Sequence, residues 1–149
     1  MKYLKLSLLA ASLAFSQGAL AHGDEYLDTQ AAPHGGQLRM AGIYHYELVV
    51  AKDSKGVNEN PVVVYLTDHA GAKIATAGAA GTATILAGKL KATATLKPDG
   101  DNRMKGFAKY ASTPDMKVVV SITPPGRQAE QARFTPLAVT QAEHMDHKH

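Results

Sequence analysis

The chain has 149 residues, with 16 Lys and Arg against 13 Asp and Glu, seven His, and neither Cys nor Trp. That length allows one ordinary domain with a single core and is too short for two once a leader is removed. The absence of cysteine excludes disulfides and thiolate ligands, leaving imidazole, carboxylate and thioether for any metal ion.

Met1 to Ala21 has the three parts of a secretory signal: Lys2 and Lys5, an apolar stretch from Leu6 to Phe15, and small residues ending in Ala19-Leu20-Ala21. The apolar part is too short to span a bilayer and no comparable run follows, so the expectation is export to the periplasm without membrane insertion after cleavage. Removing 21 of 149 residues leaves 128, and losing Lys2 and Lys5 leaves 14 basic residues against 13 acidic ones, a net charge of +1. With no clustered Lys and Arg stripe, the mature chain lacks what a phosphate backbone requires, and nucleic acid is not an expected partner.

After the signal, residues 22–36 are polar and acidic without alternation and read as a flexible segment. Residues 37–138 consist of short runs rich in Val, Ile, Thr and Ala, punctuated by Gly, Pro, Asp and Asn. This is the pattern of an all-β antiparallel sandwich or barrel, with an Ig-like or cupredoxin-like sandwich of about seven or eight strands as the expected fold class. Strands are expected near 38–50, 62–67, 72–77, 82–87, 89–97, 103–110, 117–123 and 129–137. In 89–97, Leu90, Ala92, Ala94 and Leu96 alternate with Lys91, Thr93, Thr95 and Lys97, which places one face in a core and the other in water. Lys97-Pro98-Asp99-Gly100 then supplies a turn, so this strand and 103–110 should form a hairpin. In 117–123, Val118, Val120 and Ile122 share a face, and Pro124-Pro125-Gly126 ends the run. The Ala and Thr content between Ala70 and Ala94 suggests a closely approached part of the sheet. Residues 139–149 form a His-rich tail that, like 22–36, reads as flexible.

All seven histidines, His22, His34, His45, His69, His144, His147 and His149, lie beyond the signal and are candidate metal ligands. His144-Met145-Asp146-His147-Lys148-His149 puts three imidazoles, a carboxylate and a thioether within six residues, a composition able to wrap Cu(II), Ni(II) or Zn(II). Cleavage after Ala21 makes His22 the first mature residue, whose α-amine and ring nitrogen can chelate one ion with a preference for Cu(II). Asp24 and Glu25 would add oxygens. On the domain, an antiparallel hairpin around the loop Ala51 to Asn60 sets His45 opposite about Leu66 and Gly42 opposite about His69. His34, in Pro33-His34-Gly35-Gly36, enters from the same end, so three imidazoles are expected to share a site. Glu47 lies on the same strand face as His45 and Asp68 lies beside His69, as ligands or acceptors behind them, and Met40 is a nearby soft donor.

Catalysis has little to stand on. There is no cysteine nucleophile, no G-x-S-x-G and no H-E-x-x-H, and Ser54, Ser112 and Ser121 have no neighbouring histidine in sequence.

With these residues in view, the chain resembles small periplasmic metal-resistance proteins of bacteria, particularly the copper-resistance C-type carriers. The resemblance rests on the expected His22 terminus and the cysteine-free β pattern from Leu38 to Leu137. It implies a β-sandwich in which His22 helps bind Cu(II). The body is also similar to the accessory domains of heavy-metal efflux systems, through Pro33-His34-Gly35-Gly36 before Tyr44-His45-Tyr46-Glu47-Leu48-Val49 and Val64-Tyr65-Leu66-Thr67-Asp68 before Gly71. The chain departs from the carriers in lacking a Met-rich segment.

The expected function is that of a non-enzymatic periplasmic protein that binds a transition metal, copper first and zinc or nickel as alternatives, and buffers it or passes it to a membrane efflux or uptake complex. The rival expectation is a non-catalytic interaction module accessory to such a complex; a copper-dependent oxidase is a third.

Overall fold

The structure, a computed structural model, describes residues 23–138. A short helix α1 (Asp24–Asp28) precedes eight strands: β1 (Gln37–Ala41), β2 (Tyr44–Val50), β3 (Glu59–Asp68), β4 (Ala80–Ala87), β5 (Leu90–Pro98), β6 (Arg103–Lys109), β7 (Lys117–Thr123) and β8 (Glu130–Phe134). Every pairing is antiparallel, and the strands form one nearly closed sheet in the order β1-β2-β3-β6-β5-β4-β7-β8. The all-β expectation holds. Closure brings the two edges together: the Thr135 backbone N–H donates to Gln37 Oε1 at 2.8 Å, and the Tyr46 hydroxyl donates to the Glu130 carbonyl at 3.3 Å. Burial, then the Glu130 carboxylate and Tyr44, push the Tyr46 phenol well above its ordinary range, so that hydroxyl keeps its proton and donates.

Alternation builds the interior. Tyr46, Leu48, Val62, Val64, Leu66, Ile85, Leu96, Met104, Val118, Val120, Ile122 and Phe134 point inward and are almost wholly removed from water, each large side chain contributing about 1.5–3 kcal/mol. The expected face of β7 is the one observed, with Val118, Val120 and Ile122 buried beside half-exposed Val119 and Ser121, whereas that of β5 holds only in its second half: Ala94 and Leu96 are buried and Thr93 and Thr95 exposed, but Ala92 is half-buried and Leu90, next to the turn after β4, is 71% exposed. The expected hairpin forms too, with Lys97 opposite Lys105 and Pro98 opposite Met104. One glycine of this hairpin has a packing reason. A Cβ on Gly106 would lie 2.3 Å from the Thr95 carbonyl oxygen, so β6 passes β5 at a distance that only glycine allows.

Several boundaries differ from the sequence reading. The run 38–50 is two strands, not one, because Gly42, at φ +58°, turns the chain and leaves Ile43 58% exposed at the tip of a hairpin. No strand forms over 72–77, where only Lys73 makes an isolated bridge to Thr67. The last strand ends at Phe134 rather than 137. The segment before β1, read as loose, contains α1, which packs on β1: Leu27 is buried, and Arg39, 8% exposed, places Nη1 2.6 Å from Asp28 Oδ1. Asp24 Oδ1 accepts from the Met40 N–H at 3.0 Å, satisfying part of the free edge of β1. No helix among the described residues is long and apolar enough to cross a membrane.

Candidate metal centre

Since Tyr44, Tyr46 and Leu48 fill the interior, the intervening His45, Glu47 and Val49 of β2 lie on the outer face. Register extends this face into two adjacent rows: Met40, His45 and Thr67 in one, and Leu38, Glu47, Tyr65 and Arg103 in the next. Of the candidate ligands on the body, Met40, His45 and Glu47 belong to these rows and His34 and His69 lie against them.

Glu47 is the most enclosed member. Although it faces outward it is only 3% exposed, because the turn Pro33-His34-Gly35-Gly36 folds over it. Its Oε2 accepts from the backbone N–H groups of His34 at 2.8 Å and Gly36 at 3.0 Å, and its Oε1 lies 2.7 Å from His34 Nδ1. Three donors thus offset the desolvation of one carboxylate. The turn requires its glycines: Gly35 has φ +73°, and a Cβ on Gly36 would lie 2.2 Å from the Leu48 carbonyl oxygen. The His34 ring is fixed in orientation as well, stacked parallel to Tyr65 within 1° at a centroid distance of 3.5 Å. Facing a carboxylate oxygen, Nδ1 is the protonated nitrogen of the neutral ring, and Nε2 retains the lone pair. The side chain is 42% exposed. It borders an open pocket of about 380 Å³ shared with Tyr65, Lys73, Asp99 and Arg103. The cations there are paired, Arg103 with Asp99 at 3.0 Å and Lys73 with Asp101 at 3.8 Å. The Tyr65 hydrogen bond and then the Asp99 carboxylate push the Arg103 guanidinium above its ordinary range.

The second feature is a histidine pair. His45 lies opposite Thr67, and His69 follows the end of β3, which brings the two rings to a centroid separation of 4.6 Å at an interplanar angle of 21°. The expected register is corrected by one residue, Thr67 in place of Leu66. Met40, paired with His45 on β1, is in the adjacent position on the same face. Asp68 Oδ1 accepts from Ala70 N–H at 2.9 Å and Ala72 N–H at 2.8 Å, closing the turn after β3.

The expected three-histidine site is therefore divided. His45 and His69 meet, while His34 is held one row away by Glu47, and among the described residues no group of three or more His, Asp and Glu is placed to hold a metal ion. Glu47, expected beside His45, is instead the acceptor behind His34. His22, His144, His147 and His149 lie outside the described residues. Sequence reasoning missed Tyr65 and Arg103 as neighbours of His34; the doubled glycine after it was the available signal that this turn presses against another backbone. No family model, curated protein or solved structure matches the chain.

Proposed function

We propose that the chain is an exported transition-metal carrier that takes copper, with zinc or nickel as the other ions suited to its donors, and buffers it or delivers it to a membrane transport partner. The observation that carries this reading is the His45–His69 pair, two imidazoles 4.6 Å apart on the folded body. With Met40 beside His45, the donor set is two nitrogens and a thioether, a combination that favours copper, and the cuprous ion in particular, over harder cations. In the described arrangement the rings face one another. Binding requires rotation about their χ angles so that one nitrogen of each converges on the ion, and exposed His69 has room to turn. Support for export comes from the tripartite Met1 to Ala21 segment. An absence of cysteine suits a carrier that must give its ion up, since thiolate would hold a soft ion more firmly than imidazole.

The test is titration of the protein starting at His22 with Cu(I), Cu(II) and Zn(II) against a competing chelator, alongside the His45→Asn, His69→Asn double variant. Micromolar or tighter binding is expected, weakened about tenfold or more in the variant. A protein indifferent to all three ions, or a variant with unchanged affinity, would overturn the proposal.

A further inference from the structure

Four neighbouring strands collect much of the positive charge of the body. In the order β6-β5-β4-β7 they carry Lys91, Lys97, Arg103, Lys105, Lys109 and Lys117 and no Asp or Glu. The reverse holds for α1 and β1 to β3, where Asp24, Glu25, Asp28, Glu47, Glu59 and Asp68 stand against Arg39. Chain order hides this clustering, because the cations are scattered along the sequence and meet only through strand pairing. Among the described residues only Arg103 of the six is in an ion pair, with Asp99. Lys97 lies directly opposite Lys105, a like-charge pair of the kind that weakens a sheet, and an anion laid over it relieves the repulsion.

The same strands expose leucine at one end. Gly88, at φ +58°, closes the turn between β4 and β5 and sets Ala87 opposite Leu90. Leu90 is 71% exposed and Leu86 43%. Lysines surround them: Lys89 and Lys91 flank Leu90 in the chain, and Leu86 lies between Lys91 on β5 and Lys117 on β7. Asp115 Oδ2 accepts from the Gly88 N–H at 3.1 Å and offsets one of these charges, leaving the end positive. A lone exposed leucine is ordinary, as Ile43 between Gly42 and Tyr44 is at the opposite end of the sheet. Two leucines ringed by lysines at the end of a basic face match an anionic bilayer, whose phosphates attract lysine and whose interface takes up apolar side chains.

We propose that the β4–β5 end of the body docks on the surface of an anionic phospholipid bilayer, with Leu86 and Leu90 entering the headgroup region and Lys89, Lys91 and Lys117 against the lipid phosphates. The remaining cations of β5 and β6 add attraction over about a Debye length, roughly 10 Å at 0.1 M salt. The acidic strands lie on the other half of the sheet, away from the lipid. This is adsorption to a surface and not spanning. It draws on none of the metal ligands, and it would hold a carrier beside a partner in the membrane.

The experiment is vesicle co-flotation of the chain from residue 22 without added metal, comparing phosphatidylcholine vesicles with vesicles that contain about 30% phosphatidylglycerol. Adsorption to the anionic vesicles alone is expected. Lys89→Gln, Lys91→Gln and Lys117→Gln together should weaken it about 100-fold, from about fivefold per lysine near the surface. Leu86→Ser with Leu90→Ser should weaken it about tenfold. Ile43→Ser, and Lys73→Gln with Arg127→Gln, lie at the other end of the sheet and should shift it by less than about threefold. Because the chain has no tryptophan, the Leu90→Trp variant reports depth: its emission should move to the blue on anionic vesicles, and that of Ile43→Trp should not. Circular dichroism checks each fold, and the two tryptophan variants decide the matter if the lysine or serine variants unfold. A chain that ignores anionic vesicles, or Leu90→Trp emission unchanged on them, would overturn the inference. Adsorption that needs the lysines but survives loss of both leucines would assign the basic face to a soluble polyanion and overturn it as well. None of these results bears on copper titration, so the carrier reading stands or falls separately.

Discussion

Replacing Glu47 by Ala removes the one acceptor that three donors share, and its cost can be worked from the structure. Two backbone N–H groups, those of His34 and Gly36, and the His34 ring nitrogen all lose their partner. Each hydrogen bond to a charged group contributes about 1.5–3 kcal/mol, but water reaches the vacated donors, because the side chain of His34 is 42% exposed. A net loss of about 3–4 kcal/mol follows, a large part of the roughly 5–15 kcal/mol that stabilises a domain. Glu47→Gln keeps a carbonyl oxygen for the backbone donors and should cost about half as much. His34→Ala, which removes one donor and leaves the carboxylate its two backbone partners, should cost about 1–2 kcal/mol. The assay is urea unfolding followed by circular dichroism, comparing midpoints at constant slope. In thermal melts of a body this size, the Glu47→Ala loss corresponds to a drop of about 10–20 °C. If Glu47→Ala unfolds within about 0.5 kcal/mol of the parent, or if His34→Ala proves the more damaging, the carboxylate does not hold this turn and the reasoning fails.

Gly36→Ala should destabilise by about 2 kcal/mol or more, since its Cβ would meet the Leu48 carbonyl oxygen at 2.2 Å and the turn over Glu47 must shift; urea unfolding measures it. Tyr110→Phe removes a hydroxyl that donates to the Pro61 carbonyl and accepts from the Ala51 N–H at 2.9 Å, an expected loss of about 1–3 kcal/mol in the same assay. Asp53 is held below the usual carboxylate range, first by the Asn60 side-chain amide and then by the N–H groups of Gly56, Asn58 and Lys55. Because its native pKa lies below its ordinary value of 3.8, its contribution is complete above that value and is lost as pH falls through the native one. Asp53→Asn should therefore lower the unfolding midpoint at about pH 5, with the gap to the parent closing towards about pH 2.5, and a gap that widens on acidification would contradict the assignment.

The strands that could be read from sequence are those with one wet face. Lys91, Thr93, Thr95 and Lys97 announce the outer side of β5, and the valine alternation of β7 does the same for its inner side. The break between β1 and β2 was hidden because Ile43, apolar but exposed at a turn, continues the apolar run in sequence. The absent strand over 72–77 reflects a turn closed by the Asp68 side chain, a contact that composition does not reveal. Meeting of His45 and His69 followed from the hairpin, although periodicity alone left its register one residue out. His34 was misplaced for a different reason. Its position depends on a carboxylate thirteen residues away whose burial arises only when the turn folds back over the sheet.

The central claim is that His45 and His69 can close on one ion, and ¹⁵N-histidine NMR of the protein during addition of one equivalent of Cu(I) tests it most directly. The account predicts that one ring nitrogen of His45 and one of His69 shift together and saturate at the same ratio while the backbone resonances of β2 and β3 persist. Rings that shift independently, or that stay unchanged while copper is bound elsewhere on the chain, would contradict it.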